Sequence, residues 1–320
     1  MSATGDANIG FIGLGAMGRG MAANLAKRLS GDSKIYVYDV VDGLMDDLHS
    51  EHPDTVRKST SAKEVSEISD IIFTMVPEGS HVRDVYLSTP HGICAADISN
   101  KVLVDCSTID IATCLAVRDY IATNFPSARF YDAPVSGGTI GADNGQLSFF
   151  LGCGENDPTL PHLQGILANM GQKIIPCGGP TLGLAAKLAH NYLGGIIFIA
   201  GSEAMNLGMR AGLDARVLAN VFSAGAAQST IMDRFNPVPG VLRDAPSSNN
   251  YVPGFKIQLH CKDFGLAIDM AKEVGSRLAL GDAGLQTFKG ASGDPRCKDL
   301  DSSAVYRYLG GVEDWPGRFI

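Results

Sequence analysis

Two polar residues interrupt a nearly apolar, helix-like stretch, and their types suit proton transfer. Lys187 and Asn191 lie in the run Ala-Ala-Lys-Leu-Ala-His-Asn-Tyr, residues 185–192. Positions four apart share a helix face, so an amine and an amide would stand side by side. Desolvation lowers the pKa of an amine toward neutrality, which suits a general acid or base. Lys187 is therefore the candidate catalytic residue and Asn191 a candidate substrate ligand, unless the lysine simply reaches solvent.

A hydroxyl followed by two glycines marks a second candidate site. The run Asp-Ala-Pro-Val-Ser-Gly-Gly at 132–138 follows a strand-like segment. Ser136 offers a hydroxyl, and Gly137 and Gly138 leave backbone N–H groups open to an anion. An ordinary surface turn has the same composition, and the sequence alone leaves both possibilities open.

The beginning of the chain carries a strand–turn–helix signal for a dinucleotide. A strand-like run at 8–12 leads into a GxGxxG motif, and a helix-like run follows. The motif consists of Gly13, Leu14, Gly15, Ala16, Met17 and Gly18. Gly13 permits the tight turn, Gly15 lets the main chain approach the ligand, and Gly18 lets helix pack on strand. The pyrophosphate then sits at the positive N-terminus of the helix.

Asp39 ends the second strand-like run, about 20 residues beyond the glycines, where a dinucleotide site places an acid. Its carboxylate would accept hydrogen bonds from the ribose hydroxyls and repel the 2′-phosphate of NADP. No Lys or Arg follows before Arg57, so the sequence favours NAD over NADP. The alternative is that Asp39 caps a helix whose first turn falls near Asp42.

Strand-like and helix-like segments alternate through the first half of the chain. Strands are predicted at 10–12, 35–38, 71–76, 102–105, 130–133, 147–151 and 173–175. Helices are predicted at 17–29, 43–51, 81–87, 111–124 and 158–170. Such alternation gives a parallel sheet with helices on both faces, and its ligands bind at the carboxyl ends of the strands.

The second half lacks strand signals. A long helix is predicted at 184–211, further helices at 215–224, 262–273 and 283–290, and a long loop at 236–254. The predicted fold class is an α/β Rossmann-type doubly wound domain at 1–183, followed by an all-α domain at 184–320 for substrate and oligomer contacts. The long helix would join the two domains. His190 on that helix points about 100° away from its neighbour Asn191, and we expect it to be packed.

Composition excludes several classes of partner. A net charge of −8 argues against nucleic acid or an anionic membrane surface. The apolar stretch 182–205 contains charged residues, and its uninterrupted part is shorter than the ~20 residues of a membrane span. Seven cysteines without metal-type spacing indicate reduced thiols and no metal site. No signal or transit peptide is visible in residues 1–8.

In order and spacing, these motifs resemble the β-hydroxyacid dehydrogenase family almost end to end. The resemblance implies NAD-dependent oxidation of a small 3-hydroxy acid, 3-hydroxyisobutyrate, to methylmalonate semialdehyde, a step in valine catabolism. It implies proton transfer by Lys187, substrate binding by Asn191, and carboxylate binding by the Ser-Gly-Gly run at 136–138. Lys262, followed by Asp263, is either a local charge pair or a cofactor contact. The remaining cofactor contacts implied by the resemblance are Val76, Pro77, His81 and Thr108.

The resemblance also has departures and rivals. The family usually has two asparagines where this chain has His190 and Asn191, but Asn191 keeps its spacing from Lys187, so we expect activity. The segments at 236–241 and 249–251 resemble eukaryotic members, which implies the mitochondrial matrix, or the cytoplasm if the start is native. A homodimer or homotetramer is expected. Serine and other hydroxy acids stay open as substrates, as do an NADPH-dependent glyoxylate or succinic semialdehyde reductase and a non-catalytic dinucleotide-binding protein.

Overall fold

The structure, a computed structural model, describes residues 7–29 and 33–318. Residues 1–6, on which the expectation about a leader segment mostly depends, lie outside the described residues. The chain divides into two units, with the boundary between Lys187 and Leu188.

A six-stranded sheet in the order β3-β2-β1-β4-β5-β6 forms the centre of the first unit, and all its pairings are parallel. Its strands are β1 Ile9–Ile12, β2 Ile35–Tyr38, β3 Val56–Lys58, β4 Ile71–Thr74, β5 Val102–Asp105 and β6 Arg129–Asp132. The order reverses between β1 and β4, as in a Rossmann sheet, where ligands bind at that reversal. The predicted Rossmann-type parallel sheet is confirmed.

Apolar side chains on both faces of the sheet explain why it is buried. Successive residues of a strand point to opposite faces. Phe11 and Phe73 belong to one buried cluster, while their neighbours Ile12 and Ile72 belong to the other. The helices that cover the two faces are α1 Gly18–Arg28, α2 Asp42–Glu51, α3 Ala62–Ile68, α4 Gly79–Leu87, α5 Ile111–Asn124, α6 Gly138–Asn144 and α7 Leu160–Leu167.

The strands predicted at 147–151 and 173–175 do not join the main sheet. β7 Val135–Ser136, β8 Leu147–Leu151 and β9 Gly171–Pro176 form a separate three-stranded sheet, in which β7 and β8 are antiparallel. The expectation of one continuous parallel sheet is therefore wrong at this end. Pro134 has no N–H with which to extend the ladder of β6, so the chain leaves that sheet before β7 begins.

Helices dominate the second unit, and its described residues contain one isolated β-bridge, between Lys256 and Asp301. Beyond the part of α8 Leu182–Arg210 that lies here, its helices are α9 Ala215–Ala224, α10 Thr230–Arg234, α11 Ile257–Glu273, α12 Gly281–Gly293 and α13 Val305–Tyr308. A short 3-10 turn, Pro246–Asn249, lies within the predicted long loop. The helical second half is confirmed.

Helix α11 begins five residues before its predicted start at 262. The predicted start was too late because polar residues separate the apolar positions of the first turns in the sequence. Ile257, His260 and Phe264 are buried at helical spacing. Lys262 and Asp263 therefore lie in the second turn, and the expectation that they open the helix is wrong.

Helix α8 spans 29 residues and is the one helix in the described part of the chain that is long and apolar enough to cross a membrane by length and composition. Its buried face includes two polar side chains, Lys187 and Asn191, and its apolar residues Phe198 and Met205 belong to buried clusters. These features are those of a core helix in a globular protein. The boundary between the two units falls inside it, after Lys187.

Candidate active site

The glycine turn after β1 has a backbone that few residue types could adopt. Gly13 has φ +93°, and a side chain there would collide with the carbonyl of Met75. A side chain at Gly18 would collide with the carbonyl of Gly13, whereas Gly15 faces open space. Leu14, Ala16 and Met17 complete the turn before α1 begins. The turn is thus closely packed on its inner side and open at Gly15, where a ligand can approach.

Asp39 follows β2 directly and binds the glycine turn. Its Oδ2 accepts a hydrogen bond from the N–H of Leu14 at 2.6 Å, and its Oδ1 accepts one from Val41 at 2.9 Å. Helix α2 begins at Asp42, and its N-cap residue, Val41, makes no side-chain cap. The helix-capping alternative for Asp39 is therefore wrong. The side chain is half-buried, so part of it remains accessible.

The predicted cofactor loops after β4 and β5 are joined by hydrogen bonds. The N–H of Val76 donates to Oγ of Ser107 at 3.0 Å, and the N–H of Ser107 donates to Oδ1 of Asp105 at 3.1 Å. Pro77 and Thr108 extend these loops; Thr108 is half-buried, while Pro77 is exposed, as is His81 on α4. Because β1 and β4 are neighbours in register, the glycine turn and the loop at Val76 leave adjacent strand ends.

Asp105 is a buried carboxylate that sequence reasoning missed. Its Oδ1 also accepts a hydrogen bond from Oγ1 of Thr74 at 2.8 Å, and its Oδ2 has no hydrogen-bond partner in the described residues. Burial, with a smaller contribution from the charge of Asp132, raises the pKa of Asp105 to about 6, against the hydrogen bonds from Ser107 and Thr74. The sequence signal that could have identified it is an acidic residue at the end of an otherwise apolar strand, β5.

Ser136 and the two glycines form a junction between strand β7 and helix α6. Ser136 is the last residue of β7, and Gly138 is the first of α6. Gly137 and Gly138 have φ values of +138° and +63°, which favour glycine. Gly137 is exposed, and a side chain at Gly138 would meet nothing within 4 Å. The segment is an open strand-to-helix junction, so a ligand can reach its backbone.

Lys187 is buried, with 8% of its surface exposed. It is the sixth residue of α8, in a segment whose neighbours are mostly apolar. A lysine that reaches solvent would be exposed, so that alternative is wrong. Burial of an amine is the condition under which it can hold or release a proton near neutral pH.

Asn191 lies one helical turn after Lys187, and its amide is fixed at both ends. Its Nδ2 donates to Oδ2 of Asp263 at 2.6 Å, and its Oδ1 lies 2.9 Å from Nδ1 of His190. Asp263 is itself buried, and its Oδ1 lies 3.2 Å from Nζ of Lys262. His190 is exposed, so the expectation of a packed histidine is wrong. The rotation of about 100° between adjacent helix positions separates it from the buried Asn191 and carries it to the outer face of the helix.

His260 is a second buried residue of this region that the sequence did not single out. Its ring stacks on Phe288 at 4.7 Å between centroids, its Nδ1 lies 2.9 Å from Oγ of Ser302, and its Nε2 lies 3.2 Å from the carbonyl of Asn191. A carbonyl only accepts hydrogen bonds, so Nε2 carries a proton. A lone histidine in an apolar helix face gave no hint of these partners.

Comparison with known families agrees with this geometry. A family model described as the NAD binding domain of 6-phosphogluconate dehydrogenase matches residues 8–179. A second, described as NAD-binding of NADP-dependent 3-hydroxyisobutyrate dehydrogenase, matches residues 182–309. With a Rossmann sheet, a glycine turn and a buried lysine, these matches define a nicotinamide-dinucleotide-binding oxidoreductase. The predicted enzyme class and NAD-binding function are confirmed.

The chain belongs to the 3-hydroxyisobutyrate dehydrogenase family. It is 38% identical to a probable mitochondrial 3-hydroxyisobutyrate dehydrogenase of Dictyostelium discoideum over 97% of this chain and 92% of the relative. It is 34% identical to the Pseudomonas aeruginosa enzyme over 96% of this chain and 99% of the relative. The structure of Mycobacterium tuberculosis 3-hydroxyisobutyrate dehydrogenase with L-serine superposes with a TM-score of 0.84, at 31% identity, covering 95% of this chain and 99% of that one. The predicted resemblance to β-hydroxyacid dehydrogenases is confirmed.

Proposed function

We propose that the protein oxidises the primary alcohol of 3-hydroxyisobutyrate to methylmalonate semialdehyde, with NAD as the preferred cofactor, as a step of valine catabolism. Curated relatives from a slime mould, a mammal and a bacterium bear the name of that enzyme. The observation that carries the proposal is the buried Lys187, one turn from an oriented Asn191. When bound, NAD would supply the hydride acceptor, and the hydroxyl proton would leave separately to a protein group.

The residues assigned to NAD follow the strand ends of the first unit, and Lys262 on α11 of the second unit is added to them. Six of these residues, 13–18, form the glycine turn, whose open side at Gly15 admits the pyrophosphate. The others are Asp39, Val76, Pro77, His81, Thr108 and Lys262. Asp39 is the ribose ligand, and its accessible carboxylate fits that role while its other contacts hold the turn in place.

The preference for NAD over NADP is supported by the residues beside Asp39. Val40 and Val41 are exposed, apolar and uncharged, so neither offers a cation to a 2′-phosphate. Replacing Val40 by arginine adds that cation without touching the hydrogen bonds of Asp39. We expect Val40→Arg to raise kcat/KM for NADP relative to NAD by roughly tenfold, in line with about 1.4 kcal/mol of new binding energy. An unchanged ratio, or a wild type that already prefers NADP, would contradict the assignment.

Substrate is held by groups from two segments. Ser136 and the amides of Gly137 and Gly138 bind the carboxylate, and Asn191 binds the hydroxyl. Lys187 takes the hydroxyl proton as hydride departs, and in reduction its ammonium stabilises the forming alkoxide. The hydrogen bond from Asn191 to Asp263 keeps the amide from rotating away from this task.

Domain roles, assembly and location extend the proposal. We assign residues 1–183 to cofactor binding and 184–320 to substrate and oligomer contacts. Leu193 and Leu207 on α8, and Val217 and Val221 on α9, are exposed apolar side chains that suit a homodimer or homotetramer. The mitochondrial names of the eukaryotic relatives support the mitochondrial matrix, although a bacterial relative matches as well.

The central test is Lys187→Ala, measured with 3-hydroxyisobutyrate and NAD. We expect at least a 1000-fold loss of kcat, since general acid–base catalysis contributes about 10²–10⁴, with NADH affinity unchanged. Lys173, exposed on β9, provides the matched control, and Lys173→Ala should keep wild-type kcat. Retention of a tenth of the activity in Lys187→Ala would remove the lysine from proton transfer.

The substrate assignment needs a panel of alcohols and aldehydes. L-Serine, other 3-hydroxy acids, glyoxylate and succinic semialdehyde should each be assayed with NAD(H) and NADP(H). The highest kcat/KM is expected for 3-hydroxyisobutyrate with NAD. A higher value for glyoxylate or succinic semialdehyde with NADPH would favour the reductase instead.

A further inference from the structure

Asp132 ends strand β6 and binds the beginning of helix α8. It is 2% exposed. Its Oδ1 accepts a hydrogen bond from the N–H of Thr181 at 2.8 Å, and its Oδ2 accepts one from Leu184 at 2.8 Å. Both donors belong to the segment that starts α8, and Lys187 follows Leu184 by three residues. One carboxylate thus connects the strand that leads to Ser136 with the helix that carries Lys187.

Two glycines leave room for this carboxylate. A side chain at Gly152 would collide with Asp132, and one at Gly183 would collide with Asp132 and with the carbonyl of Phe150. Gly152 also donates its N–H to the backbone carbonyl of Asp132 at 2.7 Å. Three chain segments therefore meet around Asp132 with no space for a larger residue.

Thr181 has a backbone conformation that needs external support. Its φ is +66°, in the left-handed region. A β-branched residue is strained there, at a cost of about 1–3 kcal/mol. The hydrogen bond from its N–H to Asp132 stabilises this conformation, which directs the chain into the first turn of α8.

The negative charge of the Asp132 carboxylate also suits the start of helix α8. The first amides of a helix have no partner within the helix and carry partial positive charge. Burial raises the pKa of Asp132, and the hydrogen bonds from Leu184 and Thr181 oppose that rise. The backbone donors thus compensate a group that the surroundings would otherwise keep neutral.

We propose that Asp132 is a positioning residue that fixes the first turn of α8 and, through it, the place of Lys187 relative to Ser136. This inference rests on the proposed roles of Lys187 and Ser136. Asp132 need not touch substrate, since its two oxygens already bind the two amides of the helix start. Sequence reasoning placed Asp132 only in the substrate motif.

The test is Asp132→Asn, which keeps the shape of the side chain but offers one acceptor oxygen to two N–H donors. We expect kcat to fall roughly 10- to 100-fold, since a displacement of about 1 Å can cost 10² in rate. KM for NAD should stay within a factor of about two. Hydrogen exchange of the Thr181 and Leu184 amides should accelerate.

Asp214 provides the matched control. Its Oδ1 alone accepts hydrogen bonds from the N–H groups of Arg216 and Val217 at the start of α9, a helix that bears no proposed catalytic residue. Asparagine keeps that oxygen and removes only the charge at the helix start, so Asp214→Asn should leave both the exchange of those two amides and kcat unchanged. A loss of kcat in this control equal to that in Asp132→Asn would overturn the positioning role.

Three further results decide the remaining cases. Wild-type kcat in Asp132→Asn with faster exchange at the α8 start overturns the proposal. If that variant does not fold, Asp132→Asn is combined with Thr181→Gly, since glycine adopts the positive φ without strain. A lowered kcat in the folded double variant then supports the proposal, and a wild-type kcat overturns it.

Failure of the proposed function can be recognised separately. If the wild type oxidises no hydroxy acid of the panel, Asp132 is judged by NMR titration of ¹³C-methylated Lys187, assigned with Lys187→Arg. Asp132→Asn must then shift the titration or chemical shift of that lysine, and Asp214→Asn must not. An unchanged Lys187 signal in Asp132→Asn overturns the positioning role even without turnover.

Discussion

Lys187 and Asn191 lie four residues apart on one helix, yet buried carboxylates hold them in different ways. Near Lys187, Asp132 accepts hydrogen bonds from the backbone amides of Thr181 and Leu184. Asp263 accepts one from the side chain of Asn191 itself. Backbone donors fix where a chain segment runs, whereas a side-chain donor fixes how one side chain is turned. The first carboxylate sets a position, and the second sets an orientation.

The two regions also differ in how charge is compensated. Asp105 and Asp132 of the first unit are buried, and burial raises the pKa of each. The hydrogen bonds of these two carboxylates come from backbone amides and hydroxyls. Asp263 of the second unit has the ammonium of Lys262 at 3.2 Å. Replacing a buried carboxylate of the first unit by a neutral residue should therefore change how stability depends on pH. Replacing Asp263 of the second unit should change substrate binding.

Among the substitutions that test this contrast, Asp263→Ala should have the largest effect. It removes the acceptor of the Asn191 amide nitrogen and the carboxylate that pairs with Lys262, so the amide loses one of its two partners and the substrate hydroxyl loses a fixed ligand. We expect kcat/KM for the hydroxy acid to fall about 100-fold, the scale of a lost positioning contact. The fall should come mainly from KM, which steady-state kinetics will separate from kcat.

Asp269 on the same helix provides the control for that substitution. It pairs with Lys272 at 2.8 Å, and both side chains are exposed. Such surface pairs contribute little, so Asp269→Ala should leave kcat/KM unchanged. Faster hydrogen exchange at the start of α8 in Asp263→Ala would break the contrast, because it would show that Asp263 also sets position.

A smaller effect is expected from Asp105→Asn, and it should depend on pH. Asp105 has a pKa of about 6 in the folded protein, above the roughly 3.9 of an unfolded aspartate. The folded state therefore binds the proton more tightly, and the wild type loses stability as pH rises through 4 to 6. Above pH 6 the loss is constant. Asparagine keeps an acceptor for Thr74 and Ser107 and does not titrate.

The measurement is the difference in unfolding free energy between the wild type and Asp105→Asn at several pH values. From pH 4.5 to 7.5 it should move by about 2 kcal/mol in favour of the variant. Most of that change should occur below pH 6.5. A difference that does not vary with pH would show that Asp105 has an ordinary pKa, and the proposed contrast in charge compensation would fail.

The sequence predicts the elements of the two regions unequally well. Strands at 35–38, 102–105 and 147–151 and helices at 111–124 and 215–224 coincide with the structure. The helix at 215–224 has a strongly one-sided apolar face, which makes it easy to recognise. Elements of two to seven residues, such as β3, β7, α3 and α6, were missed. These elements show no more than about two periods of the pattern, so their signal is lost among neighbouring turns.

The partners of the site residues are harder to predict than its elements. The types and spacing of Lys187 and Asn191 were visible, but Thr181 and Asp132 lie 49 residues apart and Asn191 and Asp263 lie 72 apart. No local pattern joins such pairs, since only the folded chain brings them together. A lone acid at a strand end, as at Asp105 or Asp132, indicates a buried site but not its donor.

The smallest expected effect compares two adjacent glycines of α8. A side chain at Gly195 would lie 2.8 Å from Nε2 of His260 and 2.8 Å from Cδ2 of Phe264, whereas one at Gly194 would meet nothing nearer than 3.4 Å. Gly194→Ala should stabilise the protein by up to about 1 kcal/mol through helix propensity. Gly195→Ala should destabilise it by about 1–2 kcal/mol, because overpacking displaces His260 from the carbonyl of Asn191. Urea denaturation of both variants measures the two signs. If Gly195→Ala is as stable as Gly194→Ala, His260 is not held against the backbone carbonyl of Asn191, and that residue is held by the contacts of its side chain with Asp263 and His190.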